Sequence, residues 1–80
     1  LNVFGKVGIG VKNPQESLHV SGNIKFCDKV FSSGYVAPTE GRWDIGSIVW
    51  NSKPAMNQAV GWVCIKGGTP GTWKTFGLVY

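Results

Sequence analysis

Charge is scarce in this sequence. Only 15% of its 80 residues are charged, and just four are carboxylates: Glu16, Asp28, Glu40 and Asp44. Glycoside hydrolysis needs two carboxyl groups facing one cleft, and these four all fall in predicted turns or connectors. One histidine, His19, and two cysteines, Cys27 and Cys64, are too few ligands for a tetrahedral zinc site. His19 and Ser21 share a predicted strand face, but no acid partner or nucleophile elbow accompanies them. His19 reads as a stalk or interface residue, and no enzyme activity, metal or cofactor is expected. No apolar run approaches the ~20 residues of a membrane-crossing helix, and no charged-then-apolar leader opens the chain. Membrane insertion is therefore not expected. Helical periodicity is missing too, beyond one turn at Pro14-Gln15-Glu16-Ser17 with its proline at a tolerated first position.

What the chain does have is glycine and aromatics: twelve glycines, four tryptophans and 42% hydrophobic residues. A disordered segment shows the reverse balance, whereas short strands and tight turns require this one. The net charge of +4 comes from lysines scattered along the chain (Lys6, Lys12, Lys25, Lys29, Lys53, Lys66, Lys74). They form no cluster of the kind that marks a nucleic-acid footprint. Gly5-Lys6-Val7-Gly8-Ile9-Gly10 has the wrong spacing for a phosphate loop and no helix after it. Its glycines instead suit close approach of chains around a threefold axis.

A lone domain of this size buries about 65% of its unfolded surface, and such domains usually need a disulfide, a metal or partner subunits. The two cysteines read as free thiols, Cys64 as a small buried hydrophobe. That leaves partner subunits. The chain opens on Leu1 rather than Met, so it is expected to be a piece of something longer.

The predicted fold is all-β. Residues 1–26 alternate apolar with small or polar residues at Val7, Ile9 and Val11, and again at Leu18, Val20, Ile24 and Phe26. That period-two pattern predicts short strands, with turns at Asn13-Pro14 and Ser21-Gly22-Asn23. Residues 27–39 read as a connector, with breakers at Ser32-Ser33-Gly34 and Ala37-Pro38-Thr39 around an extended piece at Tyr35-Val36. Residues 40–80 contain a repeat. Gly41-Arg42-Trp43 precedes Ile48-Val49-Trp50, and Gly71-Thr72-Trp73 precedes Leu78-Val79-Tyr80 at the same offset. Its second glycine, Gly46 or Gly77, shifts by one between the copies, which suggests a bulge or turn. Two similar strand–turn–strand corners of a small antiparallel sheet or barrel are expected. Between them Val60, Trp62 and Cys64 share one face and Val63 and Ile65 the other, which predicts a doubly covered central strand.

Gly8-Ile9-Gly10, Asn13-Pro14 and Leu18-His19-Val20-Ser21-Gly22-Asn23-Ile24 resemble a segment common in the intertwined homotrimeric stalks of phage tail fibres. Gly41-Arg42-Trp43, Gly46-Ser47-Ile48-Val49-Trp50-Asn51, Gly61-Trp62-Val63-Cys64 and Gly67 through Lys74 resemble the terminal modules that follow β-helical tailspike domains. These resemblances imply short intertwined stalk strands followed by a small β module, in a homotrimer carried on the virion and assembled in the host cytoplasm. A fainter similarity of the Trp-rich half is to small chitin-binding modules, whose aromatic sugar platform is replaced here by Ile65-Lys66-Gly67.

Two functions follow as expectations. One is a C-terminal trimerisation and capping module that closes the open end of a fibre. The other is a tip that binds host surface polysaccharide, weakly per site and strengthened by three linked sites. The residues expected to carry glycan binding are Trp43, Trp50 and Tyr80 for stacking and Arg42, Asn51 and Lys74 for hydrogen bonds.

Overall fold

The computed structural model describes residues 3–80. Where apolar residues alternate, strands form: β1 (Val7–Ile9), β2 (Leu18–Val20) and β3 (Ile24–Phe26). They are followed by β4 (Lys29–Gly34), β5 (Ile48–Asn51), β6 (Gly61–Lys66) and β7 (Thr72–Phe76). No helix occurs among the described residues, so the protein is all-β. The turn expected at Pro14–Ser17 does not become helical. There the Gln15 N–H donates to His19 Nδ1 at 3.1 Å, binding the bend to the following strand.

β1 and β2 form a parallel two-stranded sheet, and the remaining strands form a second sheet in the order β3-β4-β5-β6-β7. The larger sheet is mixed and open, not a barrel and not wholly antiparallel, because β4 and β5 pair parallel while the other neighbours are antiparallel. A parallel pair needs a crossover of a dozen or more residues, and the stretch 35–47 supplies it. Ser32, Ser33 and Gly34, expected as breakers, pair with Val49, Trp50 and Asn51 instead. Tertiary pairing overrides their weak strand propensity here. Ile24 and Phe26, expected among the stalk strands, join this same sheet through the β3–β4 hairpin. Cys27 sits at its turn with φ 56°.

β5, rather than β6, is the central strand. Cross-strand partners share a sheet face, so the register separates two surfaces. One carries Ser32, Val49, Trp62 and Thr75 in a row, with Ser47 and Cys64 one step along. The other carries Phe31, Ile48, Val63 and Lys74, and then Ser33, Trp50, Gly61 and Phe76. Only the first is covered: among the described residues Val49, Cys64 and Ser47 are the buried side chains, and Ile65 lies exposed. The expected double cover of β6 is therefore absent, and Trp62 is half-buried.

The end of the crossover is laced to β6 and the loop beyond it. Trp43 and Gly68 exchange backbone hydrogen bonds at 2.9 and 3.0 Å, Gly46 donates to Cys64 at 2.8 Å, and Cys64 donates to Ser47 at 2.9 Å. Ser47 Oγ accepts from the Val30 N–H at 3.0 Å, tying β4 to the same corner. The two Gly-x-Trp copies share a conformation at their start. Gly41 and Gly71 have φ of 84° and 86°, a region open to glycine at little cost.

The molecule is spread out for its length. Its radius of gyration is 14.5 Å, against about 12 Å for a compact domain of this size. Every substantial contact between strands lies within one of the two sheets, so β1–β2 stands apart from the rest.

Candidate functional site

The six residues expected to bind glycan do not converge. Trp50 projects from the uncovered face of β5 and meets Phe76 edge-on, ring centroids 5.6 Å apart, over Gly61. A Cβ at Gly61 would lie 2.9 Å from the Phe76 ring and 2.6 Å from the Val49 carbonyl oxygen. Only glycine lets the ring settle there. Lys74 stands on the same face, opposite Val63. Asn51, next in sequence to Trp50, alternates to the other face, as strand geometry dictates. Its side chain donates to the Ala59 carbonyl at 3.1 Å and accepts the Lys53 N–H at 3.1 Å, so it braces the β5–β6 loop. Trp43 lies beside Trp73, with its indole N–H on the Glu40 carbonyl at 2.9 Å. Arg42 is exposed and 3.8 Å from Asp44. Tyr80 is exposed beyond the last strand.

The covered face is interrupted by two open cavities. One of about 300 Å³ lies between β4, the start of the crossover and Trp43. The other, about 390 Å³, is lined by Tyr35, Asn51, Lys53, Gln58, Trp62 and Thr75. Tyr35 reaches it because β4 ends at Gly34 and the chain bends away. Of its lining residues only Asn51 was among the sequence candidates. The sequence places Trp62 among apolar neighbours on β6 and Tyr35 in the expected connector, so neither stands out there as a candidate.

Electrostatics are slight. No group of three or more metal-ligating side chains occurs among the described residues. Asp28 and Lys29 pair at 2.8 Å in the open. The hydrogen bond from Lys29 holds the Asp28 carboxyl below its usual range, and the same bond raises Lys29. Comparison with protein-family models, with curated proteins and with solved structures finds no match to the chain.

The most extensive unexplained surface is the uncovered face of the larger sheet. Ile24 is 43% exposed, Phe26 64%, Trp50 48% and Ile65 47%. Phe31, Ile48, Val63 and Phe76, half-buried, fill the space between them. With ~150–250 Å² available per large aromatic side chain, the face leaves roughly 500 Å² of apolar surface to solvent, at the upper end for a lone soluble domain.

Proposed function

We propose that the chain is a non-enzymatic module that assembles with copies of itself, the trimerisation and capping element of a fibre of the phage tail-fibre or tailspike type. In that role it is carried on the virion. The observation that carries the reading is the apolar face of the larger sheet. Matched against a like surface it buries about 1,000 Å² in total, the threshold for a specific interface. Phe4, Ile9 and Leu18, exposed around the β1–β2 pair, extend the apolar surface toward the other end. The side chains buried within one chain are so few that self-association is the natural source of the missing core. The spread-out shape agrees, because an element that completes its core between subunits has no need to be compact alone. The stalk resemblance of Gly8-Ile9-Gly10 and Leu18 through Ile24 gives the number of copies as three.

Light scattering after size exclusion tests the proposal. A particle of three chain masses at micromolar concentration is the expected result; a stable monomer overturns it.

A further inference from the structure

The two cavities of the covered face follow one row of cross-strand partners. Ser32 and Val49 line the smaller, Trp62 and Thr75 line the larger, and Tyr35 lines both. We propose that together they form a docking groove for an extended, proline-rich peptide of another protein, basic at one end and acidic at the other. The groove is independent of assembly, because it opens on the face opposite the apolar one. Four strands spaced about 4.8 Å apart make it roughly 14 Å long, the length of about five residues of polyproline II helix.

The free polar groups of the lining decide the class of occupant. Asn51 engages its side-chain oxygen with the Lys53 N–H at 3.1 Å, and Gln58 engages its own with the Ala55 N–H at 3.2 Å. Amide hydrogens remain: one on Asn51, whose other goes to the Ala59 carbonyl, and both on Gln58. The Trp43 and Trp73 indole N–H groups are satisfied by backbone carbonyls. That of Trp62 has no acceptor among the described residues, and it is not sealed in, since no buried side-chain nitrogen there lacks a partner. A lining that offers donors calls for an occupant rich in acceptors and poor in donors. Polyproline has that character, because proline carries no N–H and the carbonyls of its helix have no internal partner.

Shape and charge agree with this occupant. Trp43, Tyr35 and Trp62 set aromatic rings along the groove, and aromatic-lined grooves recognise preformed polyproline helices. The rim is held in place before any peptide arrives. The Gln58 N–H donates to the Ala55 carbonyl at 3.1 Å, and the Ser52 N–H donates to Gly34 at 2.8 Å, fixing the loop to the strand that delivers Tyr35. With both partners ordered beforehand, docking loses little conformational entropy. Glu40 is the charged residue lining the smaller cavity and Lys53 the one lining the larger. Both are exposed, hence the opposite charges at the two ends of the peptide.

The probe is a capped synthetic peptide of one arginine, five prolines and one aspartate, titrated into isotope-labelled protein and followed by nuclear magnetic resonance. A short, open groove binds weakly, with a Kd of about 0.1 mM. At that concentration the peptide is expected to move the Trp62 indole and the Asn51 and Gln58 side-chain amides. Tyr35→Ala, which removes an exposed side chain, should weaken binding about tenfold while the spectrum stays folded. Lys53→Glu should weaken it about threefold, and a peptide with arginine at both ends should recover the loss. The proposal is overturned if the peptide at ten times that concentration leaves these resonances in place, or if alanines in place of the prolines move them equally. Shifts that map to Trp50 and Phe76 instead, or a Tyr35→Ala protein that binds as tightly, overturn it as well.

Discussion

Trp43 and Trp73 meet edge to face, ring centroids 5.2 Å apart and planes at 82°. Each indole N–H donates at 2.9 Å to the backbone carbonyl three residues earlier, Glu40 for one and Pro70 for the other. The two Gly-x-Trp copies are thus the same local device, a glycine at positive φ that turns the chain and a tryptophan that bonds back across the turn. Their rings close on each other at the end of the covered face, where Trp43 pairs by backbone with Gly68.

Because the rings touch, their contributions should be coupled. Trp43→Ala and Trp73→Ala are each expected to lower stability by about 2 kcal/mol, less than the ~3–5 kcal/mol of fully buried tryptophans. The double variant should fall short of the sum by about 1 kcal/mol, the worth of an aromatic pair. Urea denaturation of the four proteins in the cycle measures it, and strict additivity would show that the contact contributes nothing.

Ser47 is fully buried and its Oγ is the acceptor for the Val30 N–H. Ser47→Ala leaves that N–H without its side-chain acceptor at a fully buried position. The expected loss is about 1–3 kcal/mol. Hydrogen exchange at Val30 should accelerate by more than at other β4 amides.

Gly61 lies under the Phe76 ring with backbone φ in the ordinary range, so only space is at issue. Gly61→Ala sets a methyl group against the Val49 carbonyl and the ring. It is expected to cost about 1–3 kcal/mol, as overpacking does, and to push Phe76 away from Trp50. A loss of contact between those two rings by nuclear Overhauser effect is the sign to look for.

Charge placed on the apolar face should separate assembly from folding. Phe26→Lys and Trp50→Lys each alter a side chain that is about half exposed or more. The double variant is expected to keep its β-type circular dichroism while light scattering reports a single chain. If the variant still assembles, the interface lies elsewhere.

The Asp28–Lys29 pair gives a pH dependence of known sign. The Asp28 carboxyl is lowered, so its contribution is present above the ordinary carboxylate range and disappears as pH falls through the lowered folded value. Both groups are exposed, and salt screens the effect. Carbon-detected titration should find Asp28 below the ordinary carboxylate range, and Lys29→Ala should return it toward that range.

The strands legible in the sequence were those with clean alternation. Val7–Ile9, Leu18–Val20 and Ile24–Phe26 lie where the period-two pattern put them, as does Gly61–Lys66, while Ile48–Asn51 forms where the first copy of the repeat placed Ile48-Val49-Trp50. β4 was hidden by its own residues: Ser32, Ser33 and Gly34 are turn formers in isolation and strand residues only because Val49, Trp50 and Asn51 lie beside them. The parallel pairing of β4 with β5 was equally hidden, since it depends on where the crossover lands. Apolar residues on both faces of β6 were read as double cover, but one face of the sheet is simply left apolar. The scatter of Trp43, Trp50, Asn51 and Tyr80 follows from alternation and from turns that no composition reveals.

The parallel seam has a kinetic consequence. β3–β4 is a hairpin and β5–β6–β7 a meander, each built from neighbours in the chain, and among the described residues the ladder joining them is the one between β4 and β5. Closing the intervening stretch 35–47 loses chain entropy before the seam gains its first hydrogen bond. Such non-local pairings form late and slow the whole reaction. The hairpin and the meander can each gather from their own neighbours, and the continuous apolar face comes into existence only when they meet. An encounter between unfinished chains finds no complete surface to recognise, so in the proposed assembly the tempo of this one crossover sets when copies can first meet.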